Sequence, residues 1–87
     1  MKSKYEPLET YLTERPSSQS EVSLSFTEIE DLIGARLPKS AYTYREWWAN
    51  QVDVSTRPQA KAWLNAAFEV ESVQQRPNGG SVVFRRR

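Results

Sequence analysis

The sequence predicts a small α+β domain, with three or four helices and a three-stranded antiparallel sheet ending in a C-terminal hairpin. Three observations carry this. Over Glu21-Val22-Ser23-Leu24-Ser25-Phe26 polar and apolar residues alternate strictly, which is the period of a half-buried strand. Pro77-Asn78-Gly79-Gly80 stands between two β-like runs, and Asn-Gly supplies the positive φ that a tight hairpin turn requires. Ahead of that hairpin, Ala60, Trp63, Leu64 and Ala67 recur at i, i+3, i+4 and i+7, the apolar stripe of a helix.

The remaining elements follow in order. Tyr5, Leu8 and Leu12 share a helical face that stops before Pro16, so residues 5–14 read as a helix, followed by the polar loop Ser17-Ser18-Gln19-Ser20. Residues 21–26 form the strand, with Val22, Leu24 and Phe26 facing inward. Thr27-Glu28-Ile29-Glu30 has the spacing of a capping box and opens a helix over 27–34. Ile29, Leu32 and Ile33 form its apolar stripe, and Gly34 is suited to a left-handed cap. Residues 38–50 read as a short helix begun at Pro38 or as an irregular aromatic segment. Ser55 or Thr56 caps a helix over 57–68, and 69–75 with 81–86 make the hairpin. The apolar Val82 and Phe84 match the inner face of the 21–26 strand, which is therefore expected to pair with the hairpin.

A chain of 87 residues accommodates one core, so 1–87 is read as a single domain. Three Trp, four Tyr and three Phe give that core its volume, since each buried aromatic removes roughly 150 to 250 Å² from water. Cys is absent, which excludes a disulfide framework, and no apolar run approaches a membrane span. Met1-Lys2-Ser3-Lys4-Tyr5-Glu6 has no apolar stretch behind it, so a secretory signal is not expected and a cytoplasmic address is. His is absent too. That removes the commonest general base, the commonest neutral metal ligand and every Ser-His or Cys-His nucleophile pair, so no enzyme, metal or cofactor is expected. Glu28, Glu30 and Asp31 are the one carboxylate cluster, and a helix start that favours negative charge accounts for them.

Net charge is +1, but it is divided unevenly. Residues 1–34 carry three cations against seven carboxylates, a net −4, and residues 35–87 carry nine against four, a net +5. One acidic and one basic face are expected, and the basic one suits a polyanion. Arg57, Gln59, Lys61, Ala62 and Asn65 occupy the side of the 57–68 helix opposite its apolar stripe. Arg pairs with guanine and Gln or Asn with adenine in a major groove, so Arg57, Gln59, Lys61 and Asn65 are the candidate base-reading set. Arg76, Asn78, Arg85, Arg86 and Arg87, with Lys39 and Arg45, are candidates for phosphate contact, although Arg85 to Arg87 also suit a solvated tail. Trp47 and Trp48 are adjacent, and neighbouring helical residues point about 100° apart, so both are not expected in the core. Trp48, with Tyr42, is the candidate partner surface, for a protein or a second copy of the chain.

The order helix, strand, helix, aromatic segment, helix, hairpin resembles a winged helix-turn-helix domain. There the first strand pairs with a terminal hairpin, and the helix before the hairpin enters the DNA major groove. Ser55-Thr56-Arg57-Pro58-Gln59-Ala60-Lys61-Ala62-Trp63-Leu64-Asn65-Ala66-Ala67-Phe68-Glu69-Val70 looks like the recognition helix and wing entry of small bacterial repressors. A second registration makes residues 38–48 the recognition helix after the Gly34 turn. Leu37-Pro38-Lys39-Ser40-Ala41, Trp47-Trp48-Ala49-Asn50 and Ala62-Trp63-Leu64 also look like a small uncharacterised bacterial domain family, which implies no activity. The resemblance implies binding of duplex DNA. The competing expectation is an inhibitor or accessory subunit that docks through exposed aromatics.

Overall fold

A computed structural model describes residues 4–50, 58–76 and 78–87. Helix α1 (Glu6–Thr13) is followed by strand β1 (Glu21–Ser25), helix α2 (Phe26–Ile33), the short helix α3 (Lys39–Thr43) and a 3-10 turn at Arg45–Trp48. Helix α4 (Pro58–Asn65) then leads into strands β2 (Phe68–Arg76) and β3 (Gly79–Arg86). The sheet is antiparallel with order β1-β3-β2, so the first strand does add to the terminal hairpin. Val22 lies opposite Phe84 and Leu24 opposite Val82, and all four are buried. That cross-strand match of apolar side chains fixes the register, because a slip of one residue would turn Val22 and Leu24 to solvent.

The start of α2 differs from the sequence expectation by two residues. The cap is Ser25 and not Thr27: its Oγ accepts from the Glu28 N–H at 3.0 Å, while the Glu28 carboxylate accepts from the Ser25 N–H at 2.8 Å. Both Ser25-Phe26-Thr27-Glu28 and Thr27-Glu28-Ile29-Glu30 satisfy the spacing of a capping box. Core packing selects the earlier one, since Phe26 is fully buried as the first helical residue and not as the last strand residue. Gly34 ends α2 as expected, at φ +68°, with its N–H donating to the Glu30 carbonyl.

Strand β2 carries a bulge between Val70 and Ser72. Before it the inward residues are Phe68 and Val70; after it they are Val73 and Gln75, so the extra residue moves the inward face from even to odd positions. The bulge lets Val70 and Val73, three apart in sequence, meet Phe84 and Val82 on one side of the sheet. Gly80 lies opposite Gln75, and the Phe26 ring packs on it: a Cβ there would sit 2.7 and 2.9 Å from Cε2 and Cζ of Phe26 and closer still to the Gln74 carbonyl oxygen.

Six aromatic contacts run as one chain through the core. Tyr5 meets Trp47 edge-on at 6.0 Å, Trp47 meets Trp48 at 4.7 Å, and Trp48 stacks on Phe26 at 5.1 Å and on Trp63 at 5.9 Å. Trp63 reaches Phe84 at 5.6 Å, and Phe26 takes the edge of Tyr42 at 5.1 Å. Residues 38–50, open in the sequence between helix and irregular segment, are thus both: one turn of α-helix, then one of 3-10, with the rings of Tyr42, Trp47 and Trp48 packed in the aromatic network and Tyr44 exposed. Trp63→Ala is expected to cost about 3 to 5 kcal/mol, the usual range for truncating a fully buried large aromatic. Thermal melting checks it, and an unchanged Tm would count against this packing. Gly80→Ala is expected to destabilise as well, because the Gln74 backbone cannot retreat without breaking the hairpin ladder; a Tm equal to that of the wild type would contradict it.

Candidate nucleic-acid interface

Helix α4 is enclosed on most of its circumference. Ala60, Ala62, Trp63 and Ala66 are buried, and so is Gln59, at 4% exposure. The Gln59 amide donates to the Trp47 carbonyl at 2.9 Å, so its hydrogen-bonding capacity serves the fold. The expectation that Gln59 and Ala62 face solvent is therefore corrected: helix α1 and strand β2 pack on α4, and Gln59 is held by the carbonyl of Trp47. Lys61 and Asn65 are exposed, and Arg57 lies outside the described residues.

Trp48 is also corrected, from partner surface to core, at 2% exposure. Its indole N–H donates to the Ala41 carbonyl at 2.9 Å, and that carbonyl also accepts from the Gln75 amide at 3.0 Å. Trp47 is the half-buried member of the pair. Asn50 ties the end of this segment to α4 and β2: its Oδ1 accepts from the Trp63 indole N–H at 3.0 Å and the Val70 N–H at 2.8 Å, and its Nδ2 donates to the Val70 carbonyl at 3.0 Å.

Of the three C-terminal arginines, two are engaged within the chain. Arg85 lies between Glu69 at 2.9 Å and Glu71 at 3.5 Å. Arg86 sits over the Phe68 ring at 4.6 Å and donates to the carbonyls of Pro16, Gln19 and Arg15 at 2.9 to 3.4 Å, pinning the polar loop to the sheet. Arg85 and Arg87 are thus exposed, Arg85 within its ion pairs, whereas Arg86 is half-buried and holds the polar loop instead of forming part of a solvated tail. At the hairpin tip Arg76 and Asn78 are exposed and border a polar depression of about 350 Å³ that also includes Thr27 and Gln74.

A different basic strip comes together around α3. Arg36 and Lys39 are exposed and line a cavity of about 360 Å³ with Leu37, Tyr42 and Thr43. Arg45 and Tyr44 follow directly, and Tyr44, 56% exposed, is the large hydrophobic residue most open to solvent among the described residues. Arg36 was not singled out from the sequence; its place two residues after the Gly34 cap was the available signal, because a cation just beyond a left-handed cap leaves the helix toward solvent.

This strip rests on a rigid base. The Tyr42 hydroxyl donates to Glu30 at 2.6 Å, and the Leu37 N–H donates to the same carboxylate oxygen at 2.9 Å. The two bonds and the nearby Arg36 hold the Glu30 carboxyl below the usual glutamate range, with the Tyr42 hydroxyl first, and Glu30 raises the Tyr42 hydroxyl in return. The late start assigned to α2 in sequence had committed Glu30 to capping; with Ser25 as cap it is free to hold the turn.

Residues 5–87 match the model of a protein family described as a domain of unknown function, DUF7662. The chain belongs to that family. No curated protein and no solved structure matches it. In this DUF7662 domain no described helix is long and apolar enough to cross a membrane, and no group of three or more Asp or Glu side chains that could hold a metal ion occurs among the described residues.

The Glu30 contacts carry a pH dependence with a defined sign. A carboxyl whose pKa is lower in the folded than in the unfolded state contributes stability at pH values above the unfolded pKa, and this is lost as pH falls through the folded one. Tyr42→Phe removes the first cause of the shift and is expected to cost about 1 kcal/mol at pH 7. The Tm difference between wild type and Tyr42→Phe should therefore shrink as pH is lowered through the acid range, and a gap that stays constant down to pH 3 would contradict the assignment.

Proposed function

We propose that this chain is a DNA-binding module of winged-helix-like architecture, whose contact face is the basic strip around α3 with the hairpin tip as its wing. The observation that carries this reading is the fate of the cations. Arg85, although exposed, is paired with Glu69 and Glu71 and Arg86 is bound to carbonyls of the chain, whereas Arg36, Lys39 and Arg45 stand exposed along one short segment, the first two lining a cavity. Cations exposed close together along one segment are the electrostatic footprint of a polyanion site. Arg76 and Asn78 at the hairpin tip extend the set as phosphate contacts.

Element order and the pairing of the first strand with the terminal hairpin support the winged-helix affiliation. The burial of Gln59 favours the registration in which the segment after the Gly34 turn, and not α4, meets the ligand. Docking to a protein through exposed aromatics has less support, since Trp48 belongs to the core and Tyr44 stands largely alone at the surface.

The test is fluorescence anisotropy with a labelled pool of mixed-sequence DNA, containing duplex and single strands, titrated at low salt. Each phosphate neutralised releases counterion and contributes about −0.7 to −0.9 to the slope of log K against log salt, so four to six contacts give a slope of about −3 to −5. Replacing Arg36, Lys39 and Arg45 together with Ala is expected to flatten that slope by about 2. Absence of binding to the pool at low salt would overturn the reading.

A further inference from the structure

We infer that the strip around α3 takes single-stranded nucleic acid in preference to duplex, with Tyr44 as a platform on which a base stacks; this rests on the nucleic-acid reading above and specifies its ligand. When two helices joined by a turn dock on a duplex, the first crosses the phosphate backbone and the second lies in the major groove. Helix α2 is poorly suited to the first task. It carries Glu28, Glu30 and Asp31 and no cation, so a duplex backbone laid across it would meet carboxylates.

Helix α3 is equally unsuited to the second task. Five residues at a rise of about 1.5 Å each span only about 7 to 8 Å, little more than one turn, so α3 offers side chains from a single turn to a groove. Helix α4, which is longer, is buried through Gln59, Ala60, Ala62 and Trp63.

What the strip offers instead is narrow and mixed in chemistry. Arg36 and Lys39 flank the cavity that includes Thr43; Tyr44 follows Thr43 in extended conformation, at φ −112° and ψ 123°, and Arg45 comes next. A single strand presents one line of phosphates and unpaired bases with both faces available. Proteins that bind such strands combine a basic groove along the backbone with exposed aromatic rings under the bases. Tyr44 meets that description: other rings of the segment are engaged, Tyr42 with Phe26 and Glu30 and Trp48 with Phe26 and Trp63, while the Tyr44 ring is 56% exposed. A duplex offers it no base face, because its bases are stacked on one another.

The experiment compares fluorescein-labelled dT12, U12 and a mixed-sequence 12-base-pair duplex by anisotropy at low salt, with the full chain and two variants. Wild type is expected to bind dT12 or U12 at least about tenfold more tightly than the duplex, and the two strands together report which sugar is favoured. Tyr44→Ala is expected to weaken single-strand binding about five- to hundredfold, the range for loss of one stacked base, and to leave duplex binding nearly unchanged. Tyr44→Trp should retain the preference, because the larger ring also stacks. Melting temperatures of both variants should match wild type, since the replaced side chain is mostly in solvent. Duplex bound as tightly as either strand, or single-strand binding indifferent to Tyr44→Ala, would overturn this inference while leaving the nucleic-acid reading in place. Absence of binding to all three probes would overturn both.

Discussion

The stack of Phe26, Trp48 and Trp63 is the contact on which the rest of the structure depends. Trp48 lies between two nearly parallel neighbours, with interplanar angles of 15° and 20°. Each ring belongs to a different element, so the stack joins α2, the 3-10 turn and α4, and Phe84 continues it into the sheet. Offset stacking of rings of this size adds about 0.5 to 1.5 kcal/mol per pair beyond the area that they bury. In a chain this short, where total stability is of the order of 5 to 15 kcal/mol, that is a large share. Two buried indole N–H groups also need acceptors, and the Ala41 carbonyl and Asn50 Oδ1 provide them. The stack thus dictates where the chain from α3 to Asn50 must run.

That path decides what is left for a ligand. With the segment 38–50 hydrogen-bonded to α4, the amide of Gln59 turns inward and Lys61 and Asn65 remain as exposed polar residues of the helix. The same segment presents its own outer side, and with it Lys39, Tyr44 and Arg45, to solvent. Burial of one surface and creation of another are a single event. Glu30 stabilises the arrangement from beneath by holding Tyr42 and the Leu37 N–H together, so that Arg36 and Lys39 emerge from a turn that is hydrogen-bonded on its inner side.

The sheet shows a second kind of constraint. A bulge in β2 changes which residues face inward, and without it Val73 and Gln75 would point away from the core. Gln75 inside the fold then reaches the Ala41 carbonyl, which links the hairpin to α3. Glu69 and Glu71, both beyond the inner face, close on Arg85. Exposed ion pairs such as this contribute at most about 1 kcal/mol, and their consequence here is to offset the charge of Arg85 with two carboxylates.

Element order, the strand from Glu21, the helix ended by Gly34, the helix before the hairpin and the hairpin itself were legible in the sequence, whereas that helix ends at Asn65, with Ala67 exposed at φ +66°, and Gly79 pairs with Arg76 inside the ladder. Each is written in local terms: a period of 2 or 3.6, or a residue able to adopt positive φ. Pairing of β1 with β3 was legible too, since few apolar strand faces were available to match. The two-residue displacement of the α2 cap was not, because two overlapping Ser/Thr-x-x-Glu patterns are locally equivalent and only the burial of Phe26 separates them. Lys39, Arg45, Arg76 and Asn78 were recognised as exposed polar residues, while Gln59, Trp48, Arg85 and Arg86 took internal roles, and Arg36 and Tyr44 were passed over. The sequence by itself determined which elements form and in what order, because those choices are settled by neighbours a few residues away. Only the tertiary structure decided which tryptophan is covered, which arginines are already paired and which face stays open, because those outcomes depend on contacts between residues 12 to 71 positions apart.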